Sequence, residues 1–299
     1  MNEVLAVNVP AAMLWREPGE KRPHDRLILG ADADPAAWAD GMDEEMRLWL
    51  VGQVESQLLY GERVLVLERA DGWLRVAALS QGTDKDARGY PGWLPAAQVA
   101  ASPEFAPELD DLVALVTAPR AMLHGEPGTL PLFELSWPTR LPLLAEEGGW
   151  LTVRRPDGGV GFLARSEAAR ESAGFFDGYG MVDAARRFFG LRYVWGGTSA
   201  WGFDCSGLTF RLYQSQGIAI PRDADEQAAA GRRVERDDLQ PGDLLFFAGP
   251  GGQGDIHHVG VYAGGDMMVH APNSRSAVRE ESFAAGVYGE EFWGARRYR

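Results

Sequence analysis

Two small all-β modules followed by an α+β domain with an antiparallel sheet is the architecture this sequence predicts. Three observations carry it: an internal repeat across the first half, short β-type runs divided by turns in each copy, and a change of period after about residue 175.

The repeat is direct. VNVPAAMLWREPG (7–19) returns as VTAPRAMLHGEPG (116–128), with Val7, Pro10, Ala12, Met13, Leu14, Glu17, Pro18 and Gly19 matched at an offset of 109. Gly72-Trp73-Leu74-x-Val76 then matches Gly149-Trp150-Leu151-x-Val153 at an offset of 77, and Gly92-Trp93-Leu94 matches Gly161-Phe162-Leu163 at 69. Copy one therefore carries insertions of 32 and then 8 residues. Within each copy, runs such as RVLVLER, WLRVAAL and LTVRR are β-branched or alternating, and Gly, Pro or Asp-Gly turns separate them. The pattern resembles the bacterial SH3 (SH3b) domain, a small, partly open barrel with a "GW" strand and a closing "G-W/F-L" strand. In the larger insertion (35–52), Trp38, Met42, Met46 and Trp49 fall at helical spacing, which predicts one helix packed on the first barrel.

Polar, acid-rich joints at 102–111 and 166–178 divide the chain into SH3b-like modules at 1–104 and 105–168 and a third domain at 175–299. In the third, the text runs as helix (MVDAARRFFG), Gly-rich loop, helix (CSGLTFRLYQSQG), then strands (GDLLFFAG, HHVGVYAGG, DMMVHAP). Helices first and antiparallel strands after is an α+β order.

Composition narrows the function. With 45% hydrophobic and 24% charged residues the chain is ordinary globular protein. Its net charge of −14 disfavours nucleic acid, anionic membrane or anionic wall polymer as partners. No apolar run is long enough to span a bilayer, the first twenty residues lack the basic start of a signal peptide, and one cysteine allows no internal disulfide. The expectation is a cytoplasmic protein, and a monomer.

The single cysteine is the chemical lead. Cys205 opens a helix with an apolar face of Leu208, Leu212 and Tyr213, and Asp204 stands at the N-cap. The helix dipole and the free N–H groups of a first turn are expected to lower the thiol pKa, and Gly202 and Gly207 to clear space around it. A nucleophilic thiol needs a base, and the base an orienter. His257 and His258 face opposite sides of one strand, so only one can serve. His258 shares its side with Tyr262 and with Gly260, whose missing side chain leaves room for a substrate or the approaching Cys205 helix, and His270 on the next strand is placed to hold its second ring nitrogen.

In this order, YVWGG from Tyr193, FDCSGL from Phe203, Pro221-Arg222, QPGDLLFF from Gln240, HVGVY from His258 and HAP from His270 resemble the NlpC/p60 cysteine peptidases. With two SH3b-like modules ahead of it, the chain is similar to the YkfC-like γ-D-glutamyl-L-diamino-acid endopeptidases of murein peptide recycling. That resemblance implies a papain-like α+β domain and no cofactor. It implies Cys205 as nucleophile, His258 as base, His270 as orienter, and Tyr193 with the Cys205 N–H at the oxyanion. It further implies a murein peptide, L-Ala-γ-D-Glu-diamino acid, with a free L-Ala terminus. Asp223 and Glu55 would meet the ammonium group, Ser206 the D-Glu carboxylate, and Tyr90, exposed on an extra loop made by the eight-residue insertion, would wall off the site. Ala224 departs from the family pattern, which carries a small hydroxyl residue there. Two alternatives remain on the same motifs: a secreted wall hydrolase using SH3b modules as anchors, and a non-catalytic wall-binding protein.

Other signals carry less. GPGGQG (249–254) lacks the Lys-Ser/Thr ending of a phosphate loop. A zinc site from Asp255, His257, His258 and His270 has neither a helical i, i+4 pair nor a C-x-x-C partner. The paired acids at 44–45, 146–147, 237–238 and 290–291 read as surface charge rather than glycosidase chemistry.

Overall fold

A computed structural model describes residues 3–101, 105, 112–171 and 176–298. The joint expected at 102–111 lies outside the described residues except for Phe105, as do residues 172–175 of the second joint. The chain forms two compact units: residues 1–80, 88–172 and 199–201, and residues 81–87, 173–198 and 202–299.

In the first unit the duplication is visible strand by strand. Copy one is a seven-stranded antiparallel sheet in the order Val54–Leu59, Ala11–Trp15, Tyr90–Pro95, Trp73–Ala78, Arg63–Ala70, Val4–Val7, Val99–Ala100. Copy two has the same order in Pro131–Ser136, Arg120–His124, Val160–Ala164, Trp150–Arg154, Arg140–Glu147, Val113–Val116 and Ala168–Arg170. The repeated motifs hold the same register: Leu74 faces Leu94 and Val76 faces Gly92 in one copy, Leu151 faces Leu163 and Val153 faces Gly161 in the other. The glycines are a packing requirement. A Cβ at Gly92 would stand 2.9 Å from Leu14 Cβ, and one at Gly161 2.8 Å from Leu123 Cδ1, the repeat-equivalent leucine. The copies also share a core, since Tyr60 of the first packs edge-on to Phe133 of the second at 5.2 Å among Leu123, Leu135 and Leu141.

The larger insertion forms two short helices in its 35–52 span, Pro35–Asp40 and Glu44–Trp49, rather than the single helix expected. Asp43 breaks it by accepting the N–H of Met46, which caps a new helix start. Trp38 is buried, its indole N–H donating to the buried Asp25, whereas Trp49 is at the surface under the Arg22 guanidinium.

The Ser199–Trp201 turn belongs to the first unit. Ser136, fully buried at a strand end, accepts the N–H of Ala200 at 2.8 Å and donates to the Trp137 carbonyl at 2.6 Å.

The second unit places helices Gly178–Arg186, Cys205–Ser215 and Ala224–Ala229 with a six-stranded antiparallel sheet. Its order is Arg232–Val234, Phe292–Arg297, Leu244–Gly249, Gln253–Gly264, Met267–His270, Arg279–Ser282. The helix expected to be amphipathic is buried on every side from Cys205 to Tyr213. It can be so because its polar members are bonded: Arg211 to the Thr198 carbonyl and hydroxyl, Thr209 to Gln227.

Ser136→Ala leaves the buried Ala200 N–H without its acceptor. The expected cost is about 1–3 kcal/mol, read as a lower urea midpoint with unchanged slope.

Candidate active site

Asp204 builds the start of the nucleophile's helix. Its Oδ1 accepts the N–H of Gly207 at 2.6 Å, an N-cap as expected. Arg222, 1% exposed, holds the same carboxylate from Nη2 at 2.7 Å and Nη1 at 3.2 Å, and Nη1 also reaches Ser206 Oγ at 2.8 Å. Ser206 therefore sits inside a buried polar network with its hydroxyl on Asp204 and Arg222.

The thiol lies among polar contacts in a dry setting. The N–H groups of Ser206 and Val259 point at its sulfur, and the Tyr193 hydroxyl bonds to it. Burial pushes the Cys205 thiol up to about 12, and the Asp204 carboxylate adds to the effect; the two N–H groups and Arg222 pull the other way without matching it. The lowered pKa expected from the helix terminus is thus overturned. The first-turn N–H of Ser206 acts in the expected direction, but loss of water and a neighbouring carboxylate outweigh it. Burial also keeps the proton on Tyr193, with Cys205 and Asp204 contributing.

His258 and His257 divide as the strand alternation requires: His258 is buried and His257 exposed on the Gln253–Gly264 strand. His258 Nε2 lies 2.7 Å from His270 Nδ1, and His270 Nε2 lies 2.6 Å from Glu281 Oε1. One tautomer series satisfies the line. His270 donates Nε2–H to the carboxylate, His258 donates Nε2–H to the bare His270 Nδ1, and His258 Nδ1 is left as a lone-pair acceptor. Burial, then His270, His257 and Arg279, hold His258 well below its usual 6.5. Burial and Arg279 bring His270 down to about 3. Both rings are neutral, and Glu281 accepts from Arg279 as well, at 2.8 Å. Gly260 has a different use from the one expected. A Cβ there would meet Met268 Sδ at 2.8 Å and His270 Cβ at 3.2 Å, so the missing side chain admits the His270 strand rather than substrate or the Cys205 helix.

Asp223 precedes helix Ala224–Ala229 and pairs with Lys85 at 2.8 Å. Tyr90 is 2% exposed and opens a strand opposite Ala78, so it is not the exposed loop aromatic expected. Sheet pairing begins one residue beyond Gly89, which draws Tyr90 into the core. Its hydroxyl is 3.5 Å from Glu55 Oε2, bringing those two predicted residues together, and Glu55 Oε1 also accepts from Arg16 at 3.0 Å.

Comparison with known proteins places the chain in a family. The profile of the NlpC/P60 family matches residues 190–297, a YKFC SH3b2 domain profile matches 116–169, and a bacterial dipeptidyl-peptidase Sh3 domain profile matches 52–99. A γ-D-glutamyl-L-lysine dipeptidyl-peptidase of Bacillus cereus is 36% identical over 98% of this chain and 90% of its own length. One of the same name from Bacillus subtilis is 36% identical over 96% of each chain. The chain belongs to the NlpC/P60 family.

The crystal structure of an NlpC/P60 family protein from Bacillus cereus matches 99% of each chain at a TM-score of 0.95 and 36% identity. The protein is an NlpC/P60 cysteine peptidase carrying two SH3b-type domains. Within its NlpC/P60 domain, sequence reasoning missed Glu281 and Tyr288. Glu281 lies in REES, where nothing in the spacing ties it to His270; the pairing of His270 with Arg279 across the sheet brings it near. Tyr288, whose ring lies 5.5 Å from that of His258 and 5.1 Å from that of His270, gave no signal, since it lies on a short helix after the sheet strands that hold the histidines.

A protonated His258 cannot take the thiol proton, so kcat/KM should fall as pH drops through its depressed pKa, with a midpoint below 6.5. The profile should stay level through neutral pH to the alkaline ionisation of the thiol. A pH series of kcat/KM checks both limbs.

Proposed function

We propose that the protein hydrolyses the γ-D-glutamyl–diamino-acid bond of murein peptides bearing a free N-terminal L-Ala, as a step in cytoplasmic murein peptide recycling. The observation that carries the reading is the extent of the likeness: the relatives named γ-D-glutamyl-L-lysine dipeptidyl-peptidases match through both SH3b modules as well as the peptidase domain. The absence, among the described residues, of a helix long and apolar enough to cross a membrane is compatible with it. The domain limits 1–104, 105–168 and 175–299 are part of the proposal.

In the mechanism, the Cys205 Sγ–H proton passes to His258 Nδ1 as sulfur attacks the γ-carbonyl carbon. The resulting oxyanion takes hydrogen bonds from the Cys205 N–H and the Tyr193 hydroxyl; a donor of this kind contributes about 2.7–4 kcal/mol. The C–N bond breaks, His258 returns the proton to the departing amine, and an L-Ala-γ-D-Glu thioester remains. Water, deprotonated by His258, attacks the thioester and frees the dipeptide and the thiol. His270 and Glu281 hold the tautomer throughout.

Recognition of the substrate follows the same reading. Asp223 and the Tyr90–Glu55 pair recognise the terminal ammonium, which in Asp223's case displaces Lys85. Ser206 serves the D-Glu carboxylate through its link to Arg222, and Ala224 offers that carboxylate no hydroxyl. The identity of the diamino acid is lysine in the names of the relatives, and lysine is the first substrate to test.

Mass spectrometry of products from L-Ala-γ-D-Glu-L-Lys, beside the peptide acetylated on L-Ala, tests the proposal with Cys205→Ala as blank. Release of L-Ala-D-Glu from the free peptide alone is expected. Equal cleavage of both peptides overturns the terminal gate, and cleavage of neither overturns the substrate class.

A further inference from the structure

The aromatic ring of Tyr288, on helix Gly286–Glu291, touches both members of the histidine line. Its centroid is 5.5 Å from that of His258, tilted by 33°, and 5.1 Å from that of His270, edge-on at 83°. It also meets Phe247 at 5.1 Å, and Phe247 itself lies 5.7 Å from His258. Tyr288 is partly buried against the cluster of Leu245, Phe247, Met268 and Phe283 that backs the sheet. The ring thus lies against both imidazoles, which also hold each other, with Phe247 beside His258 and Glu281 bonded to His270. A neutral relay needs such a cover, because water reaching either ring would hydrate and stabilise its protonated form.

We propose that Tyr288 is a positioning residue of the peptidase: its ring is the apolar cover that excludes water from His258 and His270 and keeps His258 an unprotonated acceptor at working pH. The titratable and charged groups around His258 do not supply this by themselves. His257 is on its own strand, His270 on the next, and Arg279 and Glu281 on the strand beyond. Cys205 is on the buried helix, with Asp204 at its cap and Tyr193 bonded to the thiol. Helix Gly286–Glu291 adds Glu291, which pairs with His257 at 3.3 Å. Of the cations here, Arg279 is itself bonded to Glu281, leaving loss of water as the first cause of the His258 depression. The Tyr288 hydroxyl keeps its proton, pushed up to about 12 by burial and by the Glu281 charge, so the side chain brings no negative charge that would favour an imidazolium.

Imidazole NMR titration of the substrate-free protein tests this separately from the choice of substrate. Tyr288→Ala should raise the His258 midpoint by about one pH unit or more, while Tyr288→Phe, which keeps the ring, should leave it in place. Tyr288→Leu, which keeps apolar volume but covers less of the imidazoles, should give an intermediate rise and serves if the alanine variant does not fold. The acid limb of kcat/KM should move with the midpoint. A purely structural role would lower kcat/KM at every pH with the limb unmoved. An unmoved midpoint in both Tyr288→Ala and Tyr288→Leu overturns the proposal, as does a rise in Tyr288→Phe equal to that in Tyr288→Ala.

Discussion

The catalytic geometry depends on one buried ion pair, Asp204 with Arg222. The carboxylate has two duties. It caps the helix that begins at Cys205, which fixes where the sulfur and the first-turn N–H groups point, and it neutralises a guanidinium that is itself almost wholly buried. Neither charge could remain alone in that setting; breaking such a pair costs about 3–5 kcal/mol. Arg222 in turn lies next to Asp223, and its backbone N–H bonds to the Gly82 carbonyl, so the loop at 81–87 and the nucleophile's helix are tied to the same residue.

Burial decides the resting chemistry, and the Asp204 carboxylate of this pair adds to it. A carboxylate beside a buried thiol opposes the helix dipole, and the thiol stays protonated. The histidines are equally dry and stay neutral. The proton transfer that makes the thiolate is therefore part of the reaction rather than a preformed state. The relay is prepared for it by direction rather than by charge: Glu281 orders His270, His270 orders His258, and a bare Nδ1 remains. Neutral partners also cost less to bury than a thiolate–imidazolium pair would in the absence of water.

Much of the architecture was legible in the sequence because its signals were local. Repeated Gly-Trp-Leu-x-Val strands came out in the same register twice, and strand alternation separated His258 from His257. Asp204 at the cap and His270 on the strand next to His258 followed from short-range rules. What failed to read depended on surroundings. The sign of the Cys205 shift was set by burial and by a carboxylate one residue away, which a dipole argument alone does not weigh. Tyr90 read as an exposed loop residue because the end of an insertion was placed without knowing where sheet pairing resumes. Glu281 carried no signal of its own, because only the third strand lays it beside His270, and the single insertion helix became two at Asp43, whose side chain prefers capping a helix to continuing one.

The central claim is that the nucleophile rests as a thiol. Its most direct test is ultraviolet titration of thiolate absorbance in the native protein, with Cys205→Ser as reference. The account predicts no thiolate signal at neutral pH and an ionisation above the ordinary thiol value of 9.0, towards about 12. A thiolate step at or below neutral pH would contradict it, and would mean that the helix terminus and the imidazole outweigh burial and Asp204.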